Sequence, residues 1–149
     1  MKYICALITV LFVSVTTLAA SIPFVRNFTN KEVMCQNWDI GQDSKGIIYI
    51  ANRYGLVCYD GKTWQTYTTN ETRTIRSLHI APDDRIYIGS YEEFGYFERN
   101  EYGKLAYSSI SSLFQHKELK NKDIWSIEQE GNLIYFQSFA GYFSFDTQS

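Results

Sequence analysis

Trp38-Asp39-Ile40, then Gly46-Ile47-Ile48-Tyr49-Ile50, then Gly55-Leu56-Val57-Cys58-Tyr59-Asp60 is a phrase that the chain writes twice more. The second version is Leu78-His79-Ile80, Arg85-Ile86-Tyr87-Ile88-Gly89 and Gly95-Tyr96-Phe97-Glu98. The third is Trp125-Ser126-Ile127, Asn132-Leu133-Ile134-Tyr135-Phe136 and Gly141-Tyr142-Phe143-Ser144-Phe145-Asp146. Tyr49, Tyr87 and Tyr135 are 38 and 48 residues apart, and Gly55, Gly95 and Gly141 are 40 and 46 apart. These intervals bracket the period of a four-stranded propeller blade. Short runs of Ile, Val, Tyr and Phe make the units strands rather than helices.

The breaks between runs carry turn chemistry: Asp43-Ser44-Lys45-Gly46, Asp60-Gly61-Lys62, Pro82-Asp83-Asp84 and Glu130-Gly131-Asn132. A first blade (about 33–69) then has strands at Gln36–Ile40, Ile47–Ala51, Leu56–Tyr59 and Trp64–Thr68. A second (about 74–109) has them at Arg76–Ile80, Ile86–Ser90, Gly95–Glu98 and Leu105–Ser108. A third (about 123–149) stops after its third strand. The connector 110–122 places Leu113, Phe114 and Leu119 near helical spacing, which fits one or two helical turns on the rim. The expected fold class is all-β: about three consecutive four-stranded β-propeller blades, the last incomplete, after a signal peptide.

Working outward, the 149 residues are 45% hydrophobic and 17% aromatic with only 2 prolines, which excludes disorder and fibrous classes. Fourteen basic against 16 acidic side chains leave a net charge of −2, with no electrostatic footprint for nucleic acid or an anionic membrane. No nucleic-acid partner is expected of this chain. Residues 1–20 read as a cleaved signal peptide: Lys2, an apolar run from Ile4 to Val15, and the small residues Ala19-Ala20-Ser21. The apolar run is shorter than the roughly 20 residues that span a bilayer. A periplasmic or secreted location follows. Export leaves Cys35 and Cys58 in an oxidising compartment, where they either pair or, for Cys58 in its apolar run, pack as a small hydrophobe. Their spacing fits no metal template, and no metal or cofactor is expected. Asn27-Phe28-Thr29 and Asn70-Glu71-Thr72 are glycosylation sequons of chance origin.

Catalytic signals are weak. Asp60-Gly61-Lys62-Thr63-Trp64 is similar to the Asp-box turn of sialidase-like propellers but lacks the residue between Asp and Gly, so it reads as a tight turn whose Trp64 packs between blades. His79 alternates with Leu78 and Ile80 in a strand, and His116 sits beside Lys117 in a polar stretch, each without a motif around it. Asp83-Asp84 are turn residues. The neighbouring Glu92-Glu93 supply no defined separation across a glycosidic bond. No catalytic residue is assigned and no enzyme is expected.

A binding surface is the better reading. In a propeller the second-to-third-strand turns and the blade-to-blade connections emerge on one face. Asn52-Arg53-Tyr54, Ser90-Tyr91-Glu92-Glu93-Phe94 and Ser138-Phe139-Ala140 then rim one mouth. The candidate ligand-binding residues are Asn52, Arg53, Tyr54, Tyr91, Glu92, Glu93, Phe94 and Phe139, with aromatic faces for stacking and charged groups for hydrogen bonds. Trp38 and Trp125, near the innermost strands, are expected in the core.

The stretches Ile40 to Asn52, Gly55 to Trp64, Tyr91-Glu92-Glu93-Phe94-Gly95-Tyr96-Phe97 and Asp123-Ile124-Trp125-Ser126-Ile127 resemble the blades of bacterial two-component regulator propellers. The resemblance covers residues 22–149. It implies the periplasmic sensor region of regulators in which a triple-tyrosine domain, a membrane helix and a histidine kinase or helix-turn-helix output follow the propeller. Some members govern polysaccharide use, which makes an extracellular carbohydrate or another small ligand the implied partner. The downstream segments are absent here, so the chain reads as the amino-terminal part, whose partners would be the remaining blades or a second copy. Any membrane link would run through those absent segments. The alternative is a piece of a secreted propeller glycoside hydrolase or lyase.

Overall fold

The computed structural model describes residues 25, 27–28, 36–69 and 74–148. The signal peptide, Cys5, Cys35, the sequon residues Thr29 and Asn70 to Thr72, and the side chain of His116 lie outside the described residues.

The described chain is all-β, in three antiparallel sheets taken in sequence order. The first is β1 (Asn37–Gln42), β2 (Ile48–Asn52), β3 (Gly55–Tyr59) and β4 (Trp64–Tyr67). The second is β5 (Ile75–Ile80), β6 (Ile86–Ser90), β7 (Phe94–Arg99) and β8 (Leu105–Ser109). A 3-10 turn (Ser111–Leu113) and one helical turn, α1 (His116–Leu119), lead to the third: β9 (Ser126–Glu130), β10 (Leu133–Ser138) and β11 (Gly141–Asp146). Each sheet is a plain meander, so neighbouring strands need only short turns. Asp43 shows how such a turn is held: its Oδ1 accepts from the N–H groups of Lys45 (3.0 Å) and Ile47 (2.9 Å), while Gly46 takes φ +81°. No helix among the described residues is long and apolar enough to cross a membrane.

Strand alternation gives each sheet two faces, and stacking the sheets buries them in turn. Tyr49, Ala51, Leu56 and Cys58 of the first sheet meet Ile75, Leu78, Ile86, Ile88 and Phe97 of the second. The opposite face of the second, with Tyr87 and Phe94, meets Ile127, Ile134 and Phe136 of the third. The first strands β1, β5 and β9 lie side by side where the sheets converge. Packing leaves no room for a side chain at Gly89, where a Cβ would overlap Ser77 Oγ and the side chain of Ile124, just before β9. Three blade-like sheets stacked about their inner strands are thus the observed architecture.

The register makes the three tyrosines true equivalents. Tyr49 stands opposite Gly41 and Cys58, Tyr87 opposite His79 and Tyr96, and Tyr135 opposite Glu128 and Ser144. Two parts of the sequence alignment need correction. Gly95 stands opposite Ile88, as Val57 stands opposite Ile50, so it corresponds to Val57 and not to Gly55. Likewise Arg76-Ser77-Leu78, not Leu78-His79-Ile80, corresponds to Trp38-Asp39-Ile40. Both errors are slips of two residues, and a slip of two preserves the inward and outward alternation of a strand.

Two further expectations resolve in the packing. Cys58 is a free, buried thiol on the face between the first two sheets. Burial pushes its pKa up. Trp64 does not lie between the described sheets; it lies on the first sheet's other face with Ile48, Ile50 and Val57, stacked on Tyr59 at 4.3 Å with Phe28 edge-on at 5.3 Å. The Asp60 turn is self-contained. Its Oδ1 accepts from the N–H groups of Thr63 and Lys62, and its Oδ2 accepts from Thr63 Oγ1.

Candidate functional site

Hydrogen bonds hold the turns β2–β3 and β6–β7 at one end of the array, beside the starts of β5 and β9, and the β10–β11 turn lies at the same end, where Trp125 N–H donates to the Gln137 carbonyl at 2.8 Å. Thr74 Oγ1 donates to the Arg53 carbonyl at 3.2 Å, just before β5. Glu92 N–H donates to the Lys122 carbonyl at 2.7 Å and Ile124 N–H to the Ser90 carbonyl at 3.0 Å, just before β9. This end is the mouth.

The eight predicted ligand residues divide sharply there. Arg53, Tyr54, Tyr91 and Phe139 are exposed on the rim, with Phe139 at 92% of its full accessibility. Arg53, Tyr91 and Phe139 each directly follow the second strand of their sheet, so they form an outer arc with one residue per blade. The other four are packed or hydrogen-bonded within the fold. Phe94 is 0% exposed, packed on Phe136 at 4.4 Å and Phe143 at 5.1 Å, and cannot meet a ligand; its place in β7 alternation turns it inward. Asn52 is also buried, its Nδ2 donating to Asn37 Oδ1 (2.7 Å) and its Oδ1 accepting from Tyr54 N–H (2.9 Å). Glu93 turns toward β8, where one oxygen accepts from Tyr107 Oη (2.6 Å) and Ser109 Oγ (2.7 Å). Glu92, at φ +54°, accepts from Asn121 N–H at 2.6 Å and ties the hairpin to the connector.

Inside the outer arc lies a second one that the sequence reading missed. Trp38, Arg76 and Trp125 occupy the same position at the start of the inner strand, and strand bulges fall at Trp38 and Arg76. The Arg76 guanidinium carbon is 5.7 Å from the Trp38 ring centre and 5.1 Å from that of Trp125, so the cation sits between two indoles from neighbouring blades. Its Nε donates to Asp123 Oδ1 at 2.7 Å. The tryptophans are 36% and 39% exposed, which corrects their assignment to the core. A usable signal existed: counting eleven residues back from Tyr49 and from Tyr87 lands on Trp38 and Arg76.

The two arcs join where Phe139 packs on Trp125 at 5.4 Å. Beyond Phe139 the outer face of the third sheet carries an open cleft of about 490 Å³, lined by Tyr135, Tyr142, Gln137 and Glu128. Aromatic rings with interspersed amide and carboxylate groups can receive a flat, hydroxylated ligand. The remaining candidates make hydrogen bonds within the fold. The His79 Nε2–H donates to Gln129 Oε1 at 3.1 Å across to the third sheet. Asp84 accepts from Ser44 Oγ and N–H, which hold its carboxyl below the usual range. Among the described residues no group of three His, Cys, Asp or Glu is placed to hold a metal ion.

The chain matches no family model and no curated protein sequence. Fold and site therefore define a class only: an array of blade-like sheets with an aromatic and arginine-lined mouth.

Proposed function

We propose that this chain is the ligand-binding blade array of an exported sensor, a periplasmic segment of a transmembrane signalling or transcription regulator, and that its mouth binds a carbohydrate. The observation that carries the proposal is the pair of arcs, Trp38-Arg76-Trp125 inside and Arg53-Tyr91-Phe139 outside. Pyranose rings present C–H faces that stack on exposed aromatic rings, and their hydroxyls accept from arginine. Arg76 is already paired with Asp123, so the inner arc offers little net charge and favours a neutral polyol over a strong anion. The resemblance of the repeats to two-component regulator propellers supports the sensing role.

The test is calorimetric titration of neutral oligosaccharides into the exported chain. At least one should bind, and Trp125→Ala or Phe139→Ala should weaken it about tenfold, the scale of one lost aromatic contact. Asp83→Ala, at the opposite end of the sheets, should leave affinity unchanged. Binding that is indifferent to all of the mouth substitutions, or absent across the panel, overturns the proposal.

A further inference from the structure

At the end of the array opposite the mouth, the first two sheets part around a cleft of about 720 Å³, within the range of small-ligand sites. Lys45, from the β1–β2 turn, and Asp60, from the β3–β4 turn, line one side. Arg99, at the end of β7, and Lys104, just before β8, line the other. Cys58 and Leu105 form a buried apolar part of the wall.

The charges here are unbalanced in an instructive way. Lys45 and Lys104 make no side-chain hydrogen bond and no ion pair among the described residues. Arg99 donates Nη1 to the Gly103 carbonyl and Nη2 to Tyr49 Oη, both at 2.9 Å and both neutral acceptors. The nearby acids are occupied by other donors. Asp60 is engaged by its own turn; Asp43 accepts from Lys45 N–H, Ile47 N–H and Tyr49 Oη; Asp84 accepts from Ser44. Lys45 and Arg99 act on Asp84 only at longer range, as lesser contributors to its lowered pKa. Three cations from two blades thus face one cleft of a net-acidic protein against a single carboxylate, Asp60, whose oxygens already accept from Lys62 and Thr63, so the lining keeps an excess of positive charge.

We propose that this cleft binds the oxyanion of a small ligand, a carboxylate, sulfate or phosphate, bridging Lys45 of the first blade to Arg99 and Lys104 of the second. Arginine presents a planar fork to such a group and lysine a mobile point charge. The apolar wall at Cys58 and Leu105 would take the ligand's body. The site lies at the other end of the sheets from the mouth and does not rest on carbohydrate binding there.

Cys58 supplies the readout, because it lines the cleft and is a free thiol. In the full-length chain carrying Cys5→Ser and Cys35→Ser, the rate of Cys58 labelling by a thiol reagent is measured with sulfate, phosphate or glucuronate, each against sodium chloride of equal ionic strength. At least one oxyanion should slow labelling about fivefold beyond the chloride control, since a ligand seated in the cleft covers Cys58 in proportion to its occupancy. The ranking of the three identifies the oxyanion. Lys45→Gln with Lys104→Gln should abolish the protection, and Lys45→Arg with Lys104→Arg should keep it; calorimetric titration of the same anions into the unsubstituted chain gives a second measure. Equal slowing by chloride and all three oxyanions overturns the proposal, as does protection that survives in the glutamine pair.

Discussion

Arg76 of the second sheet lies with its guanidinium carbon 5.1 Å from the centre of the Trp125 ring of the third, while its Nε holds Asp123 at 2.7 Å. One side chain therefore joins adjacent sheets near their inner strands by a cation–π contact and an ion pair, with the Arg76 and Asp123 side chains each about three-quarters shielded from water. A partly buried carboxylate that loses its partner is costly.

Replacing Arg76 by Met should accordingly lower unfolding free energy by about 1–2 kcal/mol, the sum expected for a shielded cation–π contact and an orphaned carboxylate. Arg76→Lys should recover less than half of that, because an ammonium cannot lie flat between two indoles while donating to Asp123. Chemical denaturation of the three chains checks this. Equal stability of Arg76→Met and the parent would show that the stack contributes nothing.

Glu93→Gln should lower stability by about 1–2 kcal/mol while leaving mouth binding intact, since hydrogen bonds to a charged group are worth about that much. Glu93 receives two hydroxyl donors from β8, Tyr107 and Ser109, and so fastens the β6–β7 hairpin to the outer strand. Tyr91→Ala should do the reverse, weakening binding with a smaller loss of stability, because its ring is exposed on the rim and its hydroxyl donates to a solvent-exposed acceptor, Asn121 Oδ1, at 3.0 Å. Thermal melts paired with titrations separate the two. Loss of binding in Glu93→Gln at unchanged stability would return Glu93 to the site.

These contrasts show what was legible in the sequence. The strand phrase and its turns gave the three sheets, because alternation and turn residues are local signals. The assignment of individual mouth residues was less legible, since adjacent positions in Glu92-Glu93-Phe94 differ only in which way a single hairpin turns them. The inner arc was hidden for a different reason. A period of two tolerates a slip of two, so the hydrophobic pattern could not distinguish Arg76 from Leu78 as the partner of Trp38. The equal count back from Tyr49 and Tyr87 carries that register in the sequence, and the backbone pairing opposite the two tyrosines fixes it.

The Asp60 turn gives a pH dependence with a definite sign. Hydrogen bonds from Thr63 N–H, Thr63 Oγ1 and Lys62 N–H hold the carboxyl at about 2, below its ordinary 3.8. A depressed pKa means that the folded state binds the proton more weakly than the unfolded state. The stabilisation is complete above pH 3.8 and is lost as pH falls toward 2. The stability gap between the parent and Asp60→Asn should therefore be constant from pH 7 to 5 and narrow between pH 4 and 2. Denaturant midpoints at each pH measure it, and a gap that widens on acidification would contradict the assignment.

Tyr49 and Tyr87 occupy the same place in consecutive sheets, both buried, yet their hydroxyls meet opposite surroundings. Tyr49 Oη donates to Asp43 Oδ2 at 3.0 Å and accepts from Arg99 Nη2 at 2.9 Å, which links the first sheet to the second. In the next blade the residue matching Asp43 is Ala81, and the buried Tyr87 hydroxyl has no well-formed hydrogen bond among the described residues, only the Arg85 guanidinium nearby, which opposes the rise that burial causes in its pKa. Burial raises the pKa of both phenols, so both are neutral at physiological pH. A neutral hydroxyl that is bonded contributes about 1 kcal/mol, and more where a charged partner is left unsatisfied by its loss, whereas a buried unbonded one is a cost of similar size. Tyr49→Phe should thus destabilise the fold by about 1–3 kcal/mol, and Tyr87→Phe should be neutral or stabilising by up to about 1 kcal/mol. Both changes remove one oxygen from an otherwise unaltered ring, so the packing term cancels in the comparison. Equal losses in the two variants, read from denaturant unfolding, would mean that Tyr87 finds a partner, and that the exchange of Asp43 for Ala81 does not separate the two blades energetically.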